Sequence, residues 1–566
     1  MAIKKVKGWW LIRLALTIIG KVGIGKMTKA SKNAIRSQEQ TLRGFLTTAR
    51  DTVYGKEHHF DTILEATTAL DLFERYRKEV PIGDYENFKP YIERHKHGEA
   101  NILFPGKPKM YATTSGTTKE PKWIPITEQY YQEVYKVMNQ LWFYGMVMNK
   151  PKVFYGKTLS IVGKAIEGAA PDGTVYGSVG GIGQRDIPKF MKVLHTAPAD
   201  VFGITDYKAR YYTIMRMGIE QDCTLIITAN PSTLVEMQNN ANEFYDDYVE
   251  DIEQGTLSQK FPISDEIRKA VEARLKPNPK RADELRALRV RHGNVMPRHY
   301  WPNMQAVNTW FCGNTEVFFK KVRDSFPESC VFHEMGYNST ECRPGIVLKS
   351  NCPDTVIFGN KVYIEFIHES ELESENPRIY QMYEVKRGQR YCMIVTTSAG
   401  LYRYNMNDLI EITGFVNQFP TLKLIQKVNG TVNLTGEKLH ETQFIEAVHD
   451  AERDTGNRVA FFIGFADVTK PTYRFYYEFV NADITQEKAE NFTQVLDEYL
   501  KKYNIEYESK RSSNRLKYPE TALLVNESFE KFKATCIDKG YRDGQFKVNL
   551  LMQDEKRHAL FKELVR

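Results

Sequence analysis

No run of eighteen uncharged apolar residues occurs in this 566-residue chain, which argues against a membrane-spanning helix. Cysteine is scarce. The seven residues, at 223, 312, 330, 342, 352, 392 and 536, are too few and too irregularly spaced for a disulfide framework or a zinc site. The N-terminus lacks the clean apolar core and small-residue cleavage site of a secretory signal. There is no internal repeat and no low-complexity tract, and a content of 42% hydrophobic and 26% charged residues is ordinary for a globular protein. A reduced, cytoplasmic, soluble protein is expected, with about three to five domains or one large domain carrying appendages.

Excess charge is also missing from most of the chain. The net charge of +7 comes from 78 basic and 71 acidic residues, but residues 1–50 carry eleven Lys/Arg against one acid, Glu39. The remaining 516 residues carry 67 basic and 70 acidic groups, so the body is not a nucleic-acid-binding surface. The basic segment reads KKVKGWWLIRLALTIIGKVGIGK, with Trp9, Trp10, Leu11, Leu14, Leu16, Ile18 and Ile19 between cations. Two readings fit it: a helix packed on the body through its apolar face, or an amphipathic helix making weak membrane-surface contact through residues 1–26. Arg13 interrupts the run, so neither reading is a span.

Beyond it, residues 28–98 read as helical, with Leu42, Phe45, Leu46 and Ala49 at spacings of three and four. Residues 124–150 read as helix, 157–163 and 224–229 as buried strands, and the glycine cluster 177–183 precedes further helix. The charged span 240–295 reads as surface helices. From 303 onward strands and helices interleave, which predicts an α/β body. Gly414, Pro420 and the Asn429-Gly430 pair punctuate the chain, so a hinge is expected near 414–430. After it come a helix, two alternating strands and a helix capped by Thr485 with the stripe Ala489, Phe492, Leu496 and Tyr499. The division expected is a basic segment 1–30, a large domain 31–425 and a small α+β domain 430–566.

Three segments carry candidate chemistry. In the first, Thr113 to Lys122, hydroxyl residues surround Gly116, so backbone N–H and side-chain O–H groups can converge on phosphate oxygens. The spacing of the nucleotidase P-loop is absent. In the second, Tyr337-Asn338-Ser339-Thr340-Glu341 follows a strand-like CVFHE. A carboxylate at the end of a buried strand sits where α/β sheets bind ligands, and it could hold Mg²⁺. In the third, Gly400 to Asp408, a loop aspartate can accept both ribose hydroxyls while an arginine offsets anionic charge. Each alone is equally a turn, a loop carboxylate or an ordinary salt bridge.

Taken together and in this order, the segments resemble the adenylate-forming ligase superfamily. More narrowly, the chain resembles the acyl acid–amido synthetases of the auxin-responsive-promoter family. The resemblance is carried by VPIGDYENFKPYIERHKHGEANILFPG at 80–106, TTSGTTKEPKWIPIT at 113–127, YNSTE at 337–341, GLYRYNMND at 400–408, GEKLHE at 436–441 and QFK at 545–547. It covers about residues 35–560 and leaves out the basic segment. Lys119 and Asn338 stand where the superfamily usually has glycine, and Asn tolerates a left-handed backbone well.

The resemblance implies a fold: a large N-terminal adenylate-forming domain of mixed sheets and helices with a small mobile C-terminal α+β domain. It implies a reaction, in which ATP adenylates a carboxylic acid and the acyl group passes to an amino-acid amine, with ATP and Mg²⁺ as cofactors. It also implies residue roles. Ser115, Gly116, Thr117, Thr118 and Lys122 would hold phosphate, Tyr337 would flank adenine, and Glu341 would bind Mg²⁺. Asp408 would hold ribose, and Ser339, Thr340, Tyr402 and Arg403 would complete the nucleotide site. Lys438 and Lys547 would be catalytic lysines brought by the small domain. Two alternatives remain: a ligase using coenzyme A or a carrier thiol, and a non-catalytic nucleotide-binding protein at a membrane surface.

Overall fold

The computed structural model describes residues 5–113, 122–187, 189–312, 315–372, 374–428, 431–432, 434–435, 437–467, 470–512, 516–538, 548–553 and 555–566. The chain divides into two compact units, Met1–Met406 with Ile410–Lys423, and Asn407–Leu409 with Leu424–Arg566.

In the first unit, apolar spacing produces the helices expected near the N-terminus. Helix Ala34–Ala49 starts where the Asn33 side chain accepts from Arg36 N, and it buries Leu42, Leu46 and Ala49. Gln38 lies on the same buried face and is fully satisfied. Its amide nitrogen donates to the carbonyls of Gly359 (2.6 Å) and Val362 (2.8 Å), and its oxygen accepts from Ile364 N (2.9 Å). That stitch joins the helix to strand Tyr363–His368, part of a seven-stranded sheet that also holds Arg390–Thr396 and Tyr404–Val416.

Four short strands, Lys157–Ile161, Cys223–Thr228, Ala306–Asn308 and Val331–His333, form a wholly parallel sheet in that order. Neighbouring residues along a strand face opposite cores. Leu225 and Ala306 join one apolar cluster, and Ile226 and Val307 the other. Burial on both faces explains why TLIITA is apolar throughout rather than alternating. Asn230 caps the following helix, Pro231–Glu243, by accepting from Ser232 N.

The second unit is built on an antiparallel pair, Val459–Asp467 with Thr472–Phe479, flanked in parallel by Leu551–Met552 and Glu520–Leu523. Helix Gln486–Tyr503 starts at Thr485, which accepts from Lys488 N, and buries Ala489, Phe492 and Leu496.

Several expectations need correction. Residues 123–126 are a strand, Trp123–Ile126, paired antiparallel with Met110–Thr113, and the helix begins only after the Thr127 cap. The glycine cluster is itself helical, Val179–Arg185, because Gly181 packs so closely that a Cβ would meet the Gly163 carbonyl at 2.3 Å. The charged span 240–295 is not all surface, since Tyr245, Tyr248, Ile252 and Leu285 belong to a core. Residues 414–423 lie in the paired strands Tyr404–Val416 and Phe419–Lys427 rather than in a loop, and the division between the two units falls at Lys423/Leu424, inside the stretch where a hinge is expected. Their turn is pinned: Gln418 N donates to Ser31 O, its side-chain oxygen accepts from Ala34 N, and the Asn417 amide donates to Ser31 Oγ. Asn429 and Gly430 lie outside the described residues.

Candidate active site

Ligands of open α/β sheets bind beyond the carboxyl ends of the strands. Strand Val331–His333 runs directly into the second motif. Gly336 turns the chain with φ +76°, and Tyr337 N donates to Thr355 Oγ1 at 2.8 Å while its ring is buried. Ser339 closes the turn on Cys342: its N–H and hydroxyl donate to Cys342 O (3.1 and 3.0 Å), and its hydroxyl accepts from Cys342 N (3.0 Å). The Ser339 hydroxyl is therefore spent inside the loop. Thr340 and Glu341 are offered at the tip, half-buried. Among the described residues no group of three or more His, Cys, Asp or Glu could enclose a metal ion.

Two charged residues that sequence reasoning missed bracket this loop. The Glu334 carboxylate is buried and accepts from Phe311 N at 2.8 Å, and burial pushes its pKa up to about 8. Arg343 is buried too, with its guanidinium 5.7 Å from the Tyr135 ring and 5.8 Å from that of Trp142. It donates to Asn139 Oδ1, while Nε and Nη2 have no partner among the described residues. Desolvation lowers its pKa from the ordinary value. At the sheet's far edge, His195 contacts Ser160 (3.3 Å) and Gln184 (2.9 Å), and burial drops its pKa to about 4, so it is neutral at pH 7. The available signal for Glu334 and Arg343 was a charge on either side of a motif inside an apolar stretch.

In the third motif, Tyr402 and Arg403 are buried and structural. Tyr402 stacks on Tyr54 (4.9 Å) and donates to Leu103 O at 2.7 Å. Arg403 has φ +46°, and its Nε donates to Glu365 Oε2 at 2.8 Å. Its Nη1 reaches the carbonyls of Val80 (2.8 Å) and Arg77 (3.1 Å). Gly83 N donates to Arg403 O, and Asn405 N to Gly83 O. The sequence segments 80–106 and 400–406 are thereby brought together. Through Nε and Nη1, bound to Glu365 and two carbonyls, Arg403 holds the loop's shape.

Lys122 is half-buried, its Nζ 5.6 Å from the Tyr85 ring. Tyr85 in turn accepts from Trp123 N at 2.9 Å, a contact with no sequence signal. Ser115, Gly116, Thr117 and Thr118 lie outside the described residues, as does Lys547. Thr113 and Trp123, which flank the first motif, are a paired couple.

In the second unit, Asp408 is buried on a strand rather than carried on a loop. Lys438 is exposed at φ +45°. Its neighbour Glu437 fixes that loop, accepting from Leu434 N (2.8 Å), Thr435 N (2.7 Å) and Tyr473 OH (2.5 Å). Glu441, three residues on, accepts from Leu550 N, and burial raises its pKa to about 7. Leu550 is the third residue after Lys547 in the sequence, and its bond ties the chain following that lysine to the start of helix Glu441–Thr455.

Family models match nearly the whole chain: the GH3 family N-terminal domain over residues 23–331, the central domain over 355–427 and the C-terminal domain over 442–556. The chain belongs to the GH3 family. Among its GH3 relatives is the indole-3-acetic acid-amido synthetase GH3.3 of Arabidopsis thaliana, 25% identical over 92% of this chain and 89% of that one. Another is the jasmonoyl–L-amino acid synthetase JAR4 of Nicotiana attenuata, 24% identical over 92% and 91%. A solved GH3.15 acyl acid amido synthetase in complex with 2,4-DB superposes with a TM-score of 0.82 at 18% identity, covering 97% of this chain and 96% of that one. A 2-hydroxyisobutyryl-CoA ligase in the postadenylation state shares the fold more distantly, with a TM-score of 0.52 at 11% identity over 94% and 91%. The mixed α/β, adenylate-forming architecture expected for a GH3 chain is the one observed.

Proposed function

We propose that this GH3 protein is an ATP-dependent acid–amino acid ligase. The observation that carries the reading is Glu341, offered at the tip of the Ser339–Cys342 turn beyond the parallel strands, in a chain of this family. A carboxylate is a poor electrophile because its leaving group would be oxide. Its oxygen attacks the α-phosphorus of ATP, the bond to the β-phosphate oxygen breaks, and pyrophosphate leaves with that electron pair. The acyl adenylate so formed carries a good leaving group. An amino-acid amine attacks its carbonyl, AMP departs, the nitrogen loses a proton, and an amide remains.

Each residue's part follows from its chemistry. Ser115, Gly116, Thr117, Thr118 and Lys122 hold the phosphates, Tyr337 and Thr340 lie against the nucleotide, and Asp408 accepts from the ribose hydroxyls. Ser339, Tyr402 and Arg403 keep the loops in shape. Glu341 holds Mg²⁺ where it is bound, which supplies charge neutralisation at the phosphates. Lys438 and Lys547 are compact point charges suited to meeting the charge that develops on the α-phosphate. All seven cysteines are free, which supports a reducing, cytoplasmic compartment.

The test is pyrophosphate release over a panel of carboxylic acids, with amino acids, with coenzyme A, or with neither, followed by mass spectrometry of the products. Amide products formed only with amino acids are expected. Thioester products in their place, or no pyrophosphate with any acid, would overturn the reading.

A further inference from the structure

Helix Trp9–Ala30 is seated on the first unit by one face only. Val6 N donates to Tyr155 O at 2.7 Å, the Trp9 ring lies 4.0 Å from that of Tyr155, and Ile12, Leu16, Gly20 and Met27 are buried. Two glycines allow a close approach to helix Lys136–Asn149. A Cβ on Gly20 would fall 2.0 Å from the Tyr144 ring, and one on Gly23 would fall 2.4 Å from Leu141. This is the packing expected of a helix that docks on the body. The opposite face is the anomaly.

At about 100° per residue, Trp10, Leu11, Leu14, Ile18 and Val22 project away from the buried row. The outward face of a docked helix is ordinarily polar. Here these five, together with Ile19, are 39–56% exposed. The residues around them are all of one sign: Lys5, Lys7, Arg13, Lys21, Lys26 and Lys29 are exposed, and no acid precedes Glu39 in the sequence. A second copy laid on this face would set cations against cations, and an uncharged apolar partner would leave them uncompensated.

We infer that this face lies on an anionic lipid bilayer. The helix runs parallel to the surface, Trp10, Leu11, Leu14, Ile18 and Val22 enter the boundary between headgroups and acyl chains, and the basic residues meet lipid phosphates. Tryptophan favours that boundary. The contact is interfacial, since no described helix is long and apolar enough to cross a membrane. It is independent of the ligase reading, because every nucleotide-site residue named lies at 115 or beyond.

The experiment is co-sedimentation of the full chain with vesicles of phosphatidylcholine alone or mixed with phosphatidylglycerol, at about 50 and about 500 mM salt. Binding to the anionic vesicles at least tenfold stronger than to neutral ones, and weakened by salt, is expected. The Leu14→Glu/Ile18→Glu variant should lose at least tenfold in partitioning with its thermal midpoint and pyrophosphate release unchanged. Lys21→Gln/Lys26→Gln should lose about fivefold per charge. No binding of the full chain to anionic vesicles, binding equal to that of the Leu14/Ile18 variant, or a lipid-free dimer dissolved by that variant would each overturn the proposal.

Discussion

Replacing Glu365 by Gln tests how the third motif is held. Glu365 sits on strand Tyr363–His368 at 1% exposure and serves two arginines: Oε2 accepts from Arg403 Nε at 2.8 Å and Oε1 from Arg77 Nε at 2.9 Å. The substitution keeps the shape and removes the only carboxylate paired with Arg403 among the described residues, and Arg403 is itself 4% exposed. Arg77, about a third open to solvent, can relax into water, so most of the cost falls on Arg403. Stranding one partner of a buried pair costs about 3–5 kcal/mol, and the lower end applies because the Val80 and Arg77 carbonyls still solvate the guanidinium. In a unit this large each kcal/mol moves the melting point by only about 1 °C, so urea unfolding followed by circular dichroism is the better readout. A loss of about 3 kcal/mol is expected. The partner variant, Arg403→Met, removes the stranded charge, so the double variant should be at least about 1 kcal/mol more stable than the sum of the single losses predicts. Strict additivity, or an unaffected Glu365→Gln, would refute the clamp.

Glu341→Gln should lower adenylation well over tenfold, each tenfold corresponding to about 1.4 kcal/mol, with the melting point unchanged; near-normal pyrophosphate release at limiting Mg²⁺ would remove it from the metal site. Lys547→Ala should slow single-turnover adenylation far more than it weakens ATP binding, because its charge matters chiefly in the transition state; equal losses in both would make it a ground-state ligand. Glu334 gives a pH test. Between its ordinary value of 4.5 and about 8 the folded chain keeps this proton while the unfolded chain releases it, so the group's contribution makes stability fall as pH rises through that window. Glu334→Gln should match the parent near pH 4.5 and exceed it near pH 8.5; parallel pH curves of urea midpoint would show that the carboxyl does not titrate there.

Much of this architecture could be read without coordinates, and what could not has physical reasons. The runs around 157–161 and 223–228 were legible as strands because burial on both faces demands continuous apolar sequence. The Thr485 helix was legible because its cap and stripe are local. Strand Trp123–Ile126 was not, since four residues including a proline owe their extended form to pairing with Met110–Thr113. The glycines of 177–183 were visible as a cluster before a helix, but the close approach to Gly163 that requires Gly181 inside that helix was not. At the candidate site, Tyr337 and Glu341 were visible as a motif, but the Arg403 clamp depends on Glu365, which nothing local pairs with it. The punctuation at 414–420 was visible, but that it forms a strand-to-strand turn fastened by Ser31 and Ala34 was not, because those partners lie far away in the sequence.

The bond from Leu550 N to Glu441 spans 109 residues, and Leu551–Met552, the strand that follows it, closes one side of the second unit's sheet. Domains fold in order as they leave the ribosome, and long-range parallel pairing is slow. The Lys438 segment is therefore synthesised long before its fastening exists, and Leu551–Met552 is laid down after the sheet's other three strands. Until then Glu441 lacks the donor that meets it in the finished unit. A polypeptide released before residue 550 therefore carries Glu441 without that donor and a sheet without its fourth strand.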